Sequence, residues 1–280
     1  MVGRQRMNFR SLVLLAFALT LLPGCLSLAR PGKQQREDAS ALAKKQLAAH
    51  RSELEKVTYL MFASDHPAPL EFSSHGGKVD LKSISPGMTL GLATGISDDG
   101  YLLTAAHVVK EHCYVVGWMD GKPALSPARV VYQQFGPEFG EELAILHVDK
   151  HLDCPIRMGA LDPAGSDVYT FACDRQGEQK IIVIAGKIIR RPEPMPGKDM
   201  SIMAMEAPLW KGDSGGAVMS KEGKLVGVFV GVIQSYPTFK VSRVTCVPDM
   251  DRVQSILEAD RLRAKEPNPV PEPRQPQQNR

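Results

Sequence analysis

Gly212-Asp213-Ser214-Gly215-Gly216 is the stretch on which the fold turns. A serine hydroxyl is a poor nucleophile unless a base takes its proton and backbone donors stabilise the oxyanion that results. Glycines on both sides of Ser214 let the chain turn tightly, so that several NH groups can converge on one point. A base and an acid must then come from elsewhere in the chain. Their order relative to Ser214 discriminates between folds.

The stretch fits the G-x-S-x-G pattern of α/β-hydrolases, where the histidine follows the serine and the acid. Here the last histidine is His151 and none follows Ser214. A complete triad of that kind is excluded. Upstream, Leu102-Leu103-Thr104-Ala105-Ala106-His107-Val108-Val109 reads as a strand after an Asp98-Asp99-Gly100 turn, then a bend of small residues presenting an imidazole. Between the two lies Glu142-Leu143-Ala144-Ile145-Leu146-His147-Val148-Asp149. An acid at the start of an apolar strand can accept the second imidazole NH, fixing the tautomer and stabilising the imidazolium. The order is therefore His107, Glu142, Ser214.

Around these blocks the chain alternates short apolar runs with Gly, Pro, Asp-Gly and Ser clusters. Eleven strands are expected: Thr89–Ile96, Tyr101–Thr104, Cys113–Trp118, Arg129–Gln133, Leu143–Val148, Val168–Cys173, Ile181–Ile189, Ser201–Met205, Ala217–Met219, Leu225–Ile233 and Phe239–Val247. Such spacing points to an all-β sandwich or barrel protein. After Pro248, Asp249 can cap a helix whose Val253, Ile256, Leu257 and Leu262 supply an apolar stripe. Residues 25–56, with Leu42, Leu47 and Leu54 loosely spaced, read as a helical tether carrying the domain away from an anchor at its N-terminal end.

The order His, acid, Ser is that of chymotrypsin-like proteases, and the chain resembles a bacterial trypsin-like serine peptidase of the high-temperature-requirement A type. The matching pieces are Gly95 with TAAHVV, then ELAILHVD, then GDSGG followed by Gly223-Lys224-Leu225-Val226-Gly227-Val228. Together they span residues 89–232. The resemblance implies two six-stranded antiparallel β-barrels, over 57–155 and 156–248, with a helix over 249–266. It makes His107 the general base, Ser214 the nucleophile, and the NH groups of Gly212 and Ser214 the oxyanion hole. It also implies that Val228, Phe229 and Val230 form the strand along which substrate backbone pairs. Pro208 stands six residues before Ser214, where trypsin-like enzymes carry an acid that reads Lys or Arg, so small or medium apolar residues are expected before the cut. Lys211 either touches the substrate cleft or is a solvated loop lysine.

Three departures from that family stand out. Its acid is normally Asp, and Glu142 is one methylene longer. No Ile-Val-Gly-Gly-like start after a basic residue supplies an N-terminal ammonium for Asp213, so another cation or donor is expected to hold that carboxylate. After Met250 about 30 residues remain, fewer than a PDZ module needs.

The N-terminal end indicates location. Lys and Arg number 34 against 31 Asp and Glu, a formal charge of +3. Arg4, Arg6 and Arg10 precede an apolar run from Leu12 to Leu22, the pattern of a secretory signal peptide over residues 1–24. Without them the chain carries 31 charges of each sign, a balance that argues against a nucleic-acid partner. A membrane-spanning helix needs about 20 apolar residues, and this run is shorter. Leu22-Pro23-Gly24-Cys25 resembles the lipobox of bacterial lipoproteins, which implies diacylation of the Cys25 sulfur and a palmitate-type anchor. With no Asp after Cys25, the same resemblance places the protein in the bacterial envelope, at the outer membrane facing the periplasm. Cys113, Cys154, Cys173 and Cys246 remain, and one or two disulfides are plausible in an oxidising compartment; four cysteines allow three full pairings. His147, His151, Asp153 and Cys154 crowd together, but they read as loop chemistry, with no metal and no cofactor expected. Residues 267–280 form a Pro-rich tail that cannot build a core.

Two functions follow as expectations. One is a membrane-tethered serine endopeptidase acting on envelope or extracellular proteins through a Ser-His-Glu triad and an acyl-enzyme. The other is a catalytically weak or inactive protease-fold lipoprotein that binds envelope proteins without turnover.

Overall fold

The structure, a computed structural model, describes residues 31–47, 56–67, 72–75, 78–81, 87–135, 142–153, 155–157, 159, 164–174, 180–194, 200–235 and 240–265. The expected signal peptide, Cys25, Cys154 and the Pro-rich tail lie outside these residues. No helix among the described residues is long and apolar enough to cross a membrane.

Twelve strands close into two antiparallel barrels. The first contains β1 (Thr58–Ser64), β4 (Thr89–Gly95), β5 (Tyr101–Ala105), β6 (His112–Met119), β7 (Lys122–Phe135) and β8 (Glu142–His147). Their order around the barrel is β1-β4-β5-β8-β7-β6. The second contains β9 (Asp167–Asp174), β10 (Lys180–Pro194), β11 (Met200–Glu206), β12 (Ala217–Met219), β13 (Leu225–Ser235) and β14 (Lys240–Pro248), in the order β10-β11-β14-β13-β12-β9. A separate hairpin pairs β2 (Phe72–His75) with β3 (Lys78–Leu81). Two helices flank the barrels: α1 (Lys33–Gln46) and α2 (Met250–Lys265).

All eleven expected strands are present. The strand β1 was not among them, because every residue of TYLMFAS is buried and the run lacks the alternation that signals a strand. The strand β7 is longer than expected because its first half contains Pro123 and Pro127. Those prolines face Trp118 and Tyr114 across β6, whereas pairing with β8 begins only at Arg129. Proline is tolerated there since the strand has a single neighbour and one backbone side is not in a ladder. Between β6 and β7, Asp120 (φ 50°) and Gly121 (φ 73°) form a two-residue turn of the kind that matches strand twist.

The structure qualifies three sequence expectations. Cys113, Cys173 and Cys246 are buried thiols; they sit on β6, β9 and β14, and no two of these strands are neighbours in a barrel. The expected N-terminal helix is present as α1. It packs on β10 of the second barrel, and its inward face is Arg36, Ala39, Ser40 and Ala43, followed by the expected Leu47 at the C-cap, with Leu42 turned outward and Leu54 outside the described residues. Small residues at that spacing allow a close approach of helix to sheet. On α2, Val253 and Leu257 are buried as expected, but Leu262 is exposed. Asp249 does cap α2, accepting from the NH groups of Asp251 (3.0 Å) and Arg252 (3.3 Å).

The main core runs through both barrels without a break, joining Leu92, Leu103 and Ile145 of the first to Phe171, Val228 and Cys246 of the second. A second cluster, including Val168, Ile184, Met203, Val218 and Phe229, fills the second barrel. The seam between the barrels is therefore packed, and the candidate residues lie along it.

Candidate active site

His107 sits in a single turn of 3-10 helix (Ala106–Val108) that follows β5. Strand β5 is buried throughout, and Gln133 of β7 donates to the Ala106 carbonyl at 3.0 Å. The turn is thus held from below and from the side. Glu142 opens β8, next to β5 in the barrel, and is 4 % exposed. Its Oε2 accepts from the His107 backbone NH at 3.3 Å and lies 2.9 Å from His107 Nδ1. One carboxylate oxygen thus fixes both the backbone and the ring of His107. With Nδ1–H donating to the carboxylate, the neutral ring offers Nε2 as proton acceptor. Across the seam, burial and then the Glu142 carboxylate push the Cys246 thiol up to about 12.

The nucleophile loop is built by glycine and by backbone bonds. Gly212 and Gly215 have φ of 89° and 91°, a region L side chains rarely adopt. A Cβ on Gly215 would stand 1.8 Å from the Leu92 carbonyl oxygen and 2.4 Å from Thr104 Oγ1. The loop is pressed onto the first barrel: Leu92 NH donates to the Ser214 carbonyl at 2.7 Å, and Thr104 Oγ1 donates to the Leu92 carbonyl at 2.7 Å. A Cβ on Gly91 would meet both the Ser214 oxygen (3.0 Å) and Val108 Cγ1 (3.1 Å). Ser214 and the turn carrying His107 therefore converge on one glycine of β4.

Within the loop, the NH groups of Asp213, Gly215 and Gly216 bond to Trp210, Phe229 and Asp213 carbonyls. Those of Gly212 and Ser214 bond to no acceptor among the described residues. Ser214 is 6 % exposed. Its hydroxyl bonds to none of the described residues, so the Ser214–His107 bond is not formed in this conformation.

The other candidate residues fall as follows. Pro208 is buried, and Lys211 is exposed beside Gly212. Val228, Phe229 and Val230 are buried on β13. Val228 pairs on both sides, with Ala217 and with Cys246. The Phe229 backbone bonds to Gly215 and Gly216. At Val230 the β13–β14 register shifts, so that this residue is the extra one of a bulge.

Sequence reasoning missed two arginines. Arg36 of α1 reaches Asp213 with both terminal nitrogens, at 3.1 and 3.3 Å, and donates to the Cys173 carbonyl at 3.2 Å. Asp213 also accepts from the NH groups of Cys173 (2.9 Å) and Trp210 (2.7 Å). Burial drives the Asp213 carboxyl up, opposed by Arg36 and by those two NH groups. Arg243 of β14 donates to the Leu209 carbonyl at 3.1 and 3.3 Å. The sequence showed that Asp213 needs a cation or donor, and only the packing of α1 identifies it as Arg36.

Residues 91–228 match the family model described as the trypsin-like peptidase domain. No curated protein matches the chain. Among solved structures, the HtrA-type protease AlgW with tripeptide is 21 % identical with a TM-score of 0.54; the alignment covers 76 % of this chain and 64 % of that one. The decapeptide form of AlgW is 19 % identical with a TM-score of 0.52, over 75 % and 67 % of the two chains. The active form of the Rv3671c protease from M. tuberculosis is 21 % identical over 89 % and 96 %, with a TM-score of 0.49. This chain therefore spans about two thirds of AlgW, and at these identities the likeness is one of fold. Two closed barrels and the match over residues 91–228 make the chain similar to trypsin-like peptidase domains.

Proposed function

We propose that the protein is a serine endopeptidase whose triad is Ser214, His107 and Glu142. The observation that carries this reading is the 2.9 Å contact of His107 with buried Glu142, next to the strand on which the Ser214 loop rests. In the reaction, the Ser214 hydroxyl oxygen bonds to the scissile carbonyl carbon while its proton passes to His107 Nε2. The NH groups of Gly212 and Ser214 stabilise the oxyanion. Collapse breaks the C–N bond, and the imidazolium returns the proton to the leaving amine. Water then hydrolyses the ester by the same route, releasing the carboxylic acid and restoring Ser214. Glu142 keeps the imidazole in the tautomer that this sequence needs.

Protein or peptide substrates fit this chemistry, pairing along the β13 edge near Val230, with Pro208 and Lys211 close to the cleft entrance. The Cys25 lipobox would tether the enzyme to the envelope membrane. Two or three acyl chains, at about 0.8 kcal/mol per buried methylene, suffice for a lasting anchor. One observation favours the second reading, a non-turnover binding protein: the Ser214 hydroxyl is not bonded to His107.

A fluorophosphonate probe separates the two. Wild-type protein is expected to label on serine at neutral to alkaline pH, Ser214→Ala not at all, and Glu142→Ala at least about a thousandfold more slowly. Absence of serine-dependent labelling sinks the enzyme. Labelling of Glu142→Ala at the wild-type rate removes Glu142 from the triad. Cys25→Ser is expected to lose membrane association in fractionated cells, and unchanged anchoring rejects the lipid tether.

A further inference from the structure

The residue immediately before the nucleophile is a carboxylate sealed from water, and its cation comes from outside both barrels. Asp213 is 1 % exposed, whereas the Arg36 side chain that reaches it is 14 % exposed and belongs to the first turn of α1. The fork is bidentate on Asp213 and adds a third bond to the Cys173 carbonyl. Every other inward residue of α1 (Ala39, Ser40, Ala43 and Leu47) is small or apolar. The helix thus brings one charged group into the protein, onto the residue between Gly212 and Ser214.

From this geometry we infer that Arg36 is a positioning residue for the Ser214 site, so that docking of α1 assembles the oxyanion donors and its undocking dismantles them. The inference rests on the peptidase reading of that site and identifies what controls it. With α1 in place, Asp213 is clamped between Arg36 and the NH groups of Cys173 and Trp210. Asp213 NH and carbonyl are in turn bonded inside the loop, to the Trp210 carbonyl and the Gly216 NH. The clamp therefore fixes the two peptide units that flank Asp213; the second carries the Ser214 NH, and the first anchors the carbonyl end of Gly212, whose own NH lies one peptide unit further back. Without Arg36 the buried carboxylate keeps only two neutral donors. It turns towards water, and the flanking NH groups turn with it. The control element is covalently part of the chain and lies eleven residues after Cys25 in sequence.

The test uses full-length protein carrying Arg36→Gln or Arg36→Lys, read by fluorophosphonate labelling rate and by hydrogen exchange of peptides covering 209–216, β4, β5 and β8. Arg36→Gln is expected to slow labelling about 100-fold, as for a misplacement of about 1 Å, and to speed exchange in 209–216 while the three strands stay protected. Arg36→Lys keeps a cation without the fork and is expected to label within about tenfold of wild type. Wild-type labelling and exchange in Arg36→Gln overturn the inference. So do equal losses in both variants, which would make packing rather than charge the cause. Exchange that rises across all the strands in Arg36→Gln assigns Arg36 to the fold and also overturns it. If wild-type protein does not label, the peptidase reading fails, yet the exchange comparison still decides whether Arg36 orders the loop.

Discussion

At the residue scale, one oxygen of Glu142 serves both the backbone and the ring of His107, so side-chain length is set by two distances at once. Aspartate is one methylene shorter and cannot keep both. Glu142→Asp is therefore expected to slow fluorophosphonate labelling about 100-fold; a rate equal to wild type would show that the reach of glutamate is dispensable. Gly215 is constrained more severely, since the Leu92 carbonyl stands where a Cβ would go and φ is 91°. Strain and overpacking together put the cost of Gly215→Ala at about 3 kcal/mol or more, measurable in urea melts. The Cys246 thiol, pushed up to about 12 by burial and by Glu142, should resist iodoacetamide at pH 8 in the folded protein and react once unfolded. The proposed triad of His107, Glu142 and Ser214 could be picked out in sequence because each sits in a block whose residues suit its own chemistry, and the structure brings His107 and Glu142 together. Arg36 was not, because a cation on a helix surface and a cation reaching a buried carboxylate read alike until the packing partner is known.

At the scale of elements, α2 is fastened to the first barrel by side chains. Asp260, 6 % exposed, accepts from Tyr101 (3.0 Å) and from both terminal nitrogens of Arg129 (3.0 and 2.7 Å), while Arg261 forks onto Asp99 at 2.7 and 2.8 Å. The Arg129 bonds hold the Asp260 carboxyl below its usual range. Burial and then the Asp260 bond push the Tyr101 phenol from 10.0 up to about 12. Folded protein thus binds that proton more tightly than unfolded protein does. The associated stability is fully present below pH 10 and is lost as pH rises towards 12. Urea melts at pH 9 and pH 11.5 should show a decline on the order of 2 kcal/mol that Tyr101→Phe largely removes; equal slopes in both proteins would reject the linkage. The stripe Val253, Ile256, Leu257 and Leu262 foretold the helix but misplaced its last contact. The buried turn is closed by Asp260, a polar residue that hydropathy assigns to solvent. On α1, the Ser40 hydroxyl is buried with no partner among the described residues. Ser40→Ala removes that unmet group and improves helix propensity, for a gain of about 1 kcal/mol in the same assay.

At the scale of the molecule, the continuous core predicts that the two barrels unfold together. Trp118 lies in β6 of the first barrel and Trp210 beside the nucleophile loop of the second, and the chain has only these two tryptophans. Trp118→Phe and Trp210→Phe variants each leave one reporter, and their fluorescence midpoints in urea, each corrected for the variant's own circular-dichroism midpoint, should coincide. Separate transitions would mean that the seam is not a shared core. Strand spacing pointed to a sandwich or barrel, and the two-barrel plan came from the family resemblance that the motif order carried. The packing across the seam was not, since it joins residues such as Leu92 and Cys246 that lie far apart in the chain and carry no mutual signature.

The two helices are crossed relative to the sequence. N-terminal α1 rests on the second barrel, and C-terminal α2 is fastened to the first. Each barrel is therefore completed by chain from the opposite end. A chain emerging from the ribosome or a translocon has its first barrel available early, but that barrel stays unbraced until residues 250–265 have emerged. The Arg36 fork cannot close until Asp213 has arrived. Synthesis order thus imposes a delay on the proposed hydrolase: the nascent chain carries His107 and Glu142 for more than a hundred residues of elongation before the last brace is in place.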